Sequence, residues 1–300
     1  PGISFQSLVC LLLWGILFGA AFPCPWVLAS DTSIAVVISR KIRPYIQVSD
    51  GIVNKIANGG RAPEVIFLSS DHDNGGSALI EGLNDRAYEV VVAVGPEAAV
   101  LIWGLEDRSM KMYTAVLDPD TLKGIPSDAC GIPLRLPVNV QLEQIDKTFD
   151  QVARIGLIYD PRHNQWFFEQ ARASSLKHAF EIVPLKVASK NQIPGILKKK
   201  DGQIDVIWMI PDQTVISEKI IQYVIKQGIY HDIGVIGYNS FFSRSGALFS
   251  FEFDYEELGD QTAEMIISFL KTGACRKEPA VFKTVVNQKI ADKIGIRVEK

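Results

Sequence analysis

Four aspartates directly follow predicted strands, at positions where a sheet can gather functional side chains. They are Asp118, Asp160, Asp212 and Asp254. Two such carboxylates held close together could carry out general acid–base hydrolysis. Three of the four adjoin a proline, which is common in turns that end a strand. A structural turn and a functional carboxylate therefore both remain open for these positions.

Other signs of catalysis are weak. The chain has four histidines, and none is spaced as a metal-binding pair. His72 and Asp73 could form an acid–base pair, but they precede Asn-Gly-Gly, which favours a solvated turn. No nucleophile elbow, phosphate-binding loop or dinucleotide fingerprint is present. The sequence therefore predicts no catalytic residues, no metal and no cofactor.

Short apolar runs alternate with amphipathic stretches along the chain. Four strand-like runs occupy residues 33–39, 64–68, 89–95 and 112–117, and four more occupy 154–159, 181–187, 205–210 and 234–238. Apolar residues recur at helical spacing between them. Continuously apolar strands alternating with helices indicate parallel sheets covered on both faces. Two such series predict two α/β lobes.

The last 55 or so residues are too short for a third domain. They contain a strand at 247–253, a helix at 256–271, a strand at 282–287 and a short helix at 288–294. We expect one strand–helix unit to complete each lobe, so that the chain crosses between the lobes three times. The predicted boundaries are residues 30–150 and 247–275 for lobe 1, and residues 151–246 and 276–300 for lobe 2.

The beginning of the chain has the pattern of a secretory signal. An uncharged apolar run covers residues 8–22 and leads to a cleavage-like site ending at Ala29. Two prolines interrupt the run before it reaches the ~20 residues that a membrane span needs. We expect residues 1–29 to be a cleaved signal peptide whose charged start precedes Pro1. A retained anchor and a lipoprotein acylated at Cys24 remain alternatives.

Composition limits the partners. The net charge is −3, and the only basic cluster is Lys-Lys-Lys at 198–200. Nucleic acid is therefore not an expected partner, because phosphate binding needs clustered Lys and Arg. Removal of the signal peptide leaves Cys130 and Cys275, in a compartment where disulfides persist. Their spacing does not fit a metal site, and both a bond and two separate thiols remain open.

Several motifs together resemble one family. They are Arg-Ile-Gly-Leu-Ile-Tyr-Asp-Pro from residue 154 with Asn164, Ile-Pro-Asp-Gln-Thr-Val at 210–215, Asp-Tyr-Glu-Glu-Leu-Gly at 254–259 with Gln-Thr-Ala at 261–263, and the closing segment 285–296. Residues 93–99 and the Asp-Pro at 118–119 also match. The chain resembles the ABC-transporter substrate-binding family that includes the TrpX-like tryptophan- and tyrosine-binding proteins.

The resemblance implies a type I periplasmic-binding-protein fold: α/β, with two doubly wound Rossmann-like lobes on a three-crossing hinge. It implies capture of a small molecule, such as an amino acid, and delivery to an ABC permease in the inner membrane, without catalysis. A monomer in the periplasm is expected, either free after signal cleavage or tethered to the membrane. The alternative is a sensing module of the same fold that acts on a signalling partner.

The resemblance also implies a ligand site between the lobes. Asp212 and Asp254 would hold an ammonium group, and the turn at Gly95 and Pro96 would offer N–H groups to an anion. Family members usually have a hydroxyl residue where this chain has Gly95. The expected ligand-binding residues are Tyr45, Gly95, Pro96, Asp118, Asn164, Asp212, Tyr238, Asn239 and Asp254, with Trp166 and Phe241 as further aromatic walls. A Cys130–Cys275 disulfide would lie near the hinge and limit opening.

Overall fold

The computed structural model describes residues 33–68, 82–83 and 85–299. The predicted signal peptide and the His72–Asp73 pair lie outside these residues. Within them, every helix is too short or too polar to cross a bilayer.

The first sheet has five parallel strands in the order β2-β1-β3-β4-β5. Every residue of β1 and β3 is buried, because helices and loops cover both faces of the sheet. The strands are β1 (Ile34–Ile38), β2 (Glu64–Phe67), β3 (Val90–Val94), β4 (Met110–Val116) and β5 (Gly131–Pro133). The helices that follow β1 and β3 are α1 (Arg43–Ala57) and α2 (Pro96–Trp103).

The second sheet has six strands in the order β11-β10-β9-β8-β6-β7, and only β11 is antiparallel to its neighbour. Its strands are β6 (Arg154–Tyr159), β7 (Glu181–Lys186), β8 (Val206–Met209), β9 (Gly234–Gly237), β10 (Phe249–Glu252) and β11 (Lys283–Val286). The remaining helices are α3 (Val138–Thr148), α4 (Pro161–Ser175), α5 (Ile193–Lys199), α6 (Glu218–Tyr230), α7 (Ser240–Arg244), α8 (Tyr255–Thr272) and α9 (Gln288–Ile294).

Both sheets are packed on both faces, and the described residues form four apolar clusters, two for each sheet. The strand order reverses between β1 and β3 and again between β6 and β8. These are the switch points at which doubly wound sheets bind ligands. The predicted fold class, two doubly wound lobes with three connections, is confirmed.

The end of the chain divides between the lobes differently from the predicted boundaries. Strand β10, expected in lobe 1, pairs with β9 and β11 in the second sheet. Helix α8 packs on α1 of the first lobe, where Leu258 and Ile266 join the same cluster as Ile52. Residues 138–148, which fall within the expected range of lobe 1, form helix α3 and contribute Leu142 and Ile145 to the core of the second lobe. β10 and α3 therefore belong to the second lobe, whereas α8, which also lies within residues 247–275, belongs to the first.

The three crossings between the lobes therefore lie at residues 134–137, 253–254 and 279–282. The third crossing is fastened to the first lobe by Gln261 of α8. Its side-chain amide donates to the Pro279 carbonyl, and its carbonyl accepts from the Val281 N–H, both at 2.9 Å. Residues 279–281 are therefore held to the first lobe, and Phe282 completes the crossing to β11.

Candidate functional site

The two lobes enclose a cleft of about 800 Å³. Asp118 and Leu117 line it from the first lobe, and Asn164, Asp212 and Trp166 from the second. A second cavity of about 220 Å³ lies beside the crossings and is lined by Tyr238, Asn239, Phe251, Phe253 and Tyr255, among others. The predicted residues Asp118, Asn164 and Asp212 therefore share one cleft, and Tyr238 and Asn239 line the neighbouring cavity.

At the first switch point the chain turns sharply after β3. Gly95 has φ +94°, and a Cβ there would lie 2.7 Å from both the Ser39 hydroxyl and the Tyr45 ring. The Ser39 hydroxyl accepts a hydrogen bond from the Ala98 N–H at 2.8 Å, at the start of α2. The predicted anion-binding turn at Pro96 thus has one of its first N–H groups occupied by a protein hydroxyl.

Asp212 is buried and accepts three internal hydrogen bonds. One oxygen accepts from the Asp160 N–H and from the Asn164 amide, both at 2.8 Å. The other oxygen accepts from the Thr214 N–H at 2.9 Å. Asp212 thus fixes two loops of the second lobe and orients Asn164 at the cleft wall. Asn164 itself has non-helical backbone angles within the first turn of α4.

Asp160 contacts the same two loops through its own carboxylate. Its carboxylate is buried, pairs with the Arg162 guanidinium and accepts a 2.6 Å hydrogen bond from the Thr214 hydroxyl. The hydrogen bonds from Arg162 hold the pKa of Asp160 well below its usual range, against the opposing effect of burial. The carboxylate therefore stays charged and caps the N-terminus of α4 through the Arg162 N–H.

Four predicted ligand-binding residues line neither the cleft nor the smaller cavity: Tyr45, Gly95, Pro96 and Asp254. Asp254 caps α8 by accepting from the N–H groups of Glu256 and Glu257 at 3.1 and 3.3 Å. Tyr45 lies in α1 against Gly95, and burial together with the charge of Glu97 raises the pKa of its phenol. An N-cap aspartate and a strand-end ligand have the same sequence pattern, so only the contacts separate the two roles.

The smaller cavity is aromatic with few polar groups. Tyr238 lies against Phe242 with ring centroids 4.8 Å apart, and burial raises the pKa of Tyr238 to about 12. The Asn239 carbonyl caps α7 through the Phe241 N–H at 3.0 Å, which leaves its amide N–H groups for other partners. Phe241 itself packs against the core of the second lobe. Tyr238 therefore offers a neutral hydroxyl donor beside the cleft.

Trp166 and Arg135 also line the cleft. Trp166 is 45 % exposed and lines the cleft, where its ring offers a flat apolar surface. Arg135 pairs with Asp118 and lies 5.6 Å from the centroid of the Trp166 ring. We did not anticipate Arg135 from the sequence. The available signal was a charged residue in the Pro-Leu-Arg-Leu-Pro segment that follows β5.

Cys130 and Cys275 are joined as a disulfide, with Cα atoms 5.7 Å apart. Cys130 precedes β5 and Cys275 follows α8, and both pack in the same cluster of the first lobe. The bond therefore lies inside one lobe rather than across the opening, which differs from the expected restraint on opening. In the described part of the chain, no three His, Cys, Asp or Glu side chains are grouped as a metal site.

The comparisons with known proteins agree with this architecture. A curated tyrosine-binding protein from Clostridioides difficile is 22% identical over 191 residues, 61% of this chain, and the match spans 55% of that protein's length. A ligand-free, open substrate-binding protein with adhesive properties from Clostridium difficile superposes with a TM-score of 0.73 at 18% identity, covering 89% of this chain and 95% of the other.

A second solved structure, an ABC domain in complex with L-Trp from Streptococcus pneumonia, has a TM-score of 0.58 at 22% identity, and covers 89% of this chain and 96% of its own. At these identities both structures show the fold alone. The family model described as ABC transporter substrate binding protein matches residues 67–300. The chain therefore belongs to the ABC transporter substrate-binding protein family.

Proposed function

We propose that this protein binds an aromatic amino acid in the cleft between its lobes and delivers it to an ABC permease. The observation that carries the proposal is that one cleft is lined both by exposed apolar side chains and by polar groups held in place by hydrogen bonds. Leu117, Trp166 and Ile216 are 38 %, 45 % and 53 % exposed and line the same space as Asp118 and Asn164. Ligand sites of this size are mostly apolar with a few aimed polar groups.

The relatives support the choice of ligand. One is named for tyrosine, and another was solved with L-Trp. Trp166 gives the cleft a flat, half-exposed surface against which an aromatic ring can stack, a contact worth roughly 0.5–1.5 kcal/mol beyond burial. An aliphatic amino acid has no ring and cannot make this stacking contact.

The proposed role is capture without turnover. Asp212 uses its carboxylate in three internal hydrogen bonds, and Asp118 is paired with Arg135, so neither is an unoccupied base beside a nucleophile. We further propose that the protein acts as a monomer outside the cytoplasmic membrane, where a permease can receive the ligand. An L-tyrosine sample recovered unchanged after incubation, measured by mass spectrometry, is the expected result for capture.

Thermal unfolding with L-tyrosine, L-tryptophan, L-leucine and ribose tests the ligand. A ligand at a hundred times its dissociation constant should raise the free energy of unfolding by about 2.7 kcal/mol. We expect this for the aromatic amino acids and not for L-leucine or ribose. The absence of any shift with both aromatic amino acids would refute the proposal.

Substitution of Trp166 tests the site. Trp166→Ala should weaken binding of the aromatic amino acid about tenfold, which corresponds to about 1.4 kcal/mol. Trp103→Phe is the matched control, because Trp103 packs against Tyr113 in the first lobe, away from the cleft. Equal affinities of the two variants, measured by titration calorimetry, would place the ligand elsewhere.

A further inference from the structure

The Arg135 side chain is hydrogen-bonded to residues of both lobes. It lies on the first crossing and lines both the cleft and the smaller cavity. Its Nε and Nη2 groups hold both oxygens of Asp118 from the first lobe, the second at 2.7 Å. Nη2 also donates to the Pro211 carbonyl of the second lobe at 3.3 Å.

The guanidinium is only partly satisfied by these contacts. Its Nη1 is buried and has no hydrogen-bond partner among the described residues. The rings of Trp166 and Phe167 lie 5.6 and 5.7 Å from the guanidinium carbon and cover it. A buried cationic donor without an acceptor is unfavourable. Lys277 at the same cleft differs, because it pairs with Asp120 and is 30 % exposed, so that water reaches its remaining donors.

Asp118 has unoccupied acceptor positions that can bind a cation. A carboxylate has about four acceptor positions, and Arg135 occupies one on each oxygen of Asp118. The Asp118 side chain is 28 % exposed and faces the cleft. Asp212, in contrast, is buried and already accepts three hydrogen bonds. Asp118 is therefore the better placed of the two carboxylates to receive an ammonium group.

We propose that Arg135 and Asp118 together recognise the zwitterionic head of the ligand, an inference that rests on the proposed function of the cleft. The ligand carboxylate accepts hydrogen bonds from Nη1 of Arg135. The ligand ammonium donates to the open acceptor positions of Asp118. The contact to the Pro211 carbonyl is the longest of the Arg135 hydrogen bonds. Releasing it lets the guanidinium turn Nη1 into the cleft, which couples ligand binding to the contact between the lobes.

Three probes separate the two halves of this recognition: L-tyrosine, tyramine, which lacks the carboxylate, and 3-(4-hydroxyphenyl)propionate, which lacks the ammonium. Calorimetric titration of the wild-type protein should give L-tyrosine an affinity at least tenfold above either analogue. Arg135→Gln should weaken L-tyrosine about 10- to 100-fold and leave tyramine nearly unchanged, because a hydrogen bond between charged groups has about this value. Asp118→Asn should weaken L-tyrosine but leave the propionate nearly unchanged.

Arg154→Gln is the matched control, because Arg154 pairs with Asp205 in the second lobe and lines neither space. This variant should keep the wild-type ratios of affinity between L-tyrosine and each of the two analogues. Asp118→Asn preserves the test if Arg135→Gln does not fold. Equal losses for L-tyrosine and tyramine in Arg135→Gln, or for L-tyrosine and the propionate in Asp118→Asn, would overturn this inference and leave the proposed function standing. A wild-type protein that binds no amino acid would overturn both.

Discussion

Removal of the disulfide should destabilise the fold without changing ligand affinity. The bond between Cys130 and Cys275 closes a loop of 145 residues that contains most of the second lobe. Such a cross-link stabilises mainly by restricting the unfolded chain, and a loop of this length gives roughly 5 kcal/mol in the entropic model. Because measured values are often lower, we expect Cys130→Ala/Cys275→Ala to lose about 3–4 kcal/mol.

The contacts around the bond explain why affinity should persist. The Glu278 N–H donates to the Gly131 carbonyl at 3.1 Å, and Lys277 pairs with Asp120 at 2.7 Å. These contacts hold the segment after α8 to the first sheet without the covalent link. The folded state, and with it the hinge, should therefore change little.

Urea unfolding followed by circular dichroism, with and without a thiol reductant, measures the effect. The reductant should lower the stability of the wild-type protein to that of the double alanine variant and leave the variant unchanged. A loss below about 1 kcal/mol in fully reduced protein would refute the loop-entropy argument. A tenfold loss of ligand affinity with unchanged stability would show that the bond instead controls the hinge.

Two further predictions concern packing and charge. Gly51→Ala should cost about 1–3 kcal/mol in urea unfolding, because its Cβ would lie 2.4 Å from the Glu256 carbonyl of α8. Gly195→Ala, in a helix with open space around it, should instead gain about 0.5–1 kcal/mol, and a loss in both variants would contradict the close-approach argument. Arg162 lowers the folded-state pKa of Asp160, so this pair contributes stability above about pH 4 that is lost as the pH falls further. Asp160→Asn should therefore lower stability at pH 7 and flatten the acid side of the profile, and an unchanged acid profile would count against the ion pair.

The sequence predicted the elements of this fold better than their partners. Continuously apolar runs such as Val90–Val94 identify buried parallel strands, because only a sheet covered on both faces needs them. The same local pattern does not say to which sheet a strand belongs. Strand β10 was expected in the first lobe and lies in the second because its hydrogen bonds go to β9 and β11.

For the candidate site, the sequence likewise predicted where residues lie but not what they contact. Residues in the turns and first helical turns after strands had to lie at the carboxyl edges of the sheets, and Asp118, Asn164 and Asp212 do share the cleft. Their roles were not visible in the sequence, because Asp212 and Asp254 have the same local pattern. Contacts alone show that Asp254 caps α8 and that Asp212 holds the loop bearing Asn164.

By itself the sequence determined most of the strands and helices and which polar side chains stand at strand ends, since these follow from local periodicity. Strand β5 and helices α3 and α7 were not predicted. Only the tertiary structure decided which lobe each late segment completes, and that Arg135 joins Asp118 to the Pro211 loop across the crossing. The physical reason is that pairing, burial and charge neutralisation depend on residues distant in the chain. A local sequence pattern does not show which distant residues come into contact.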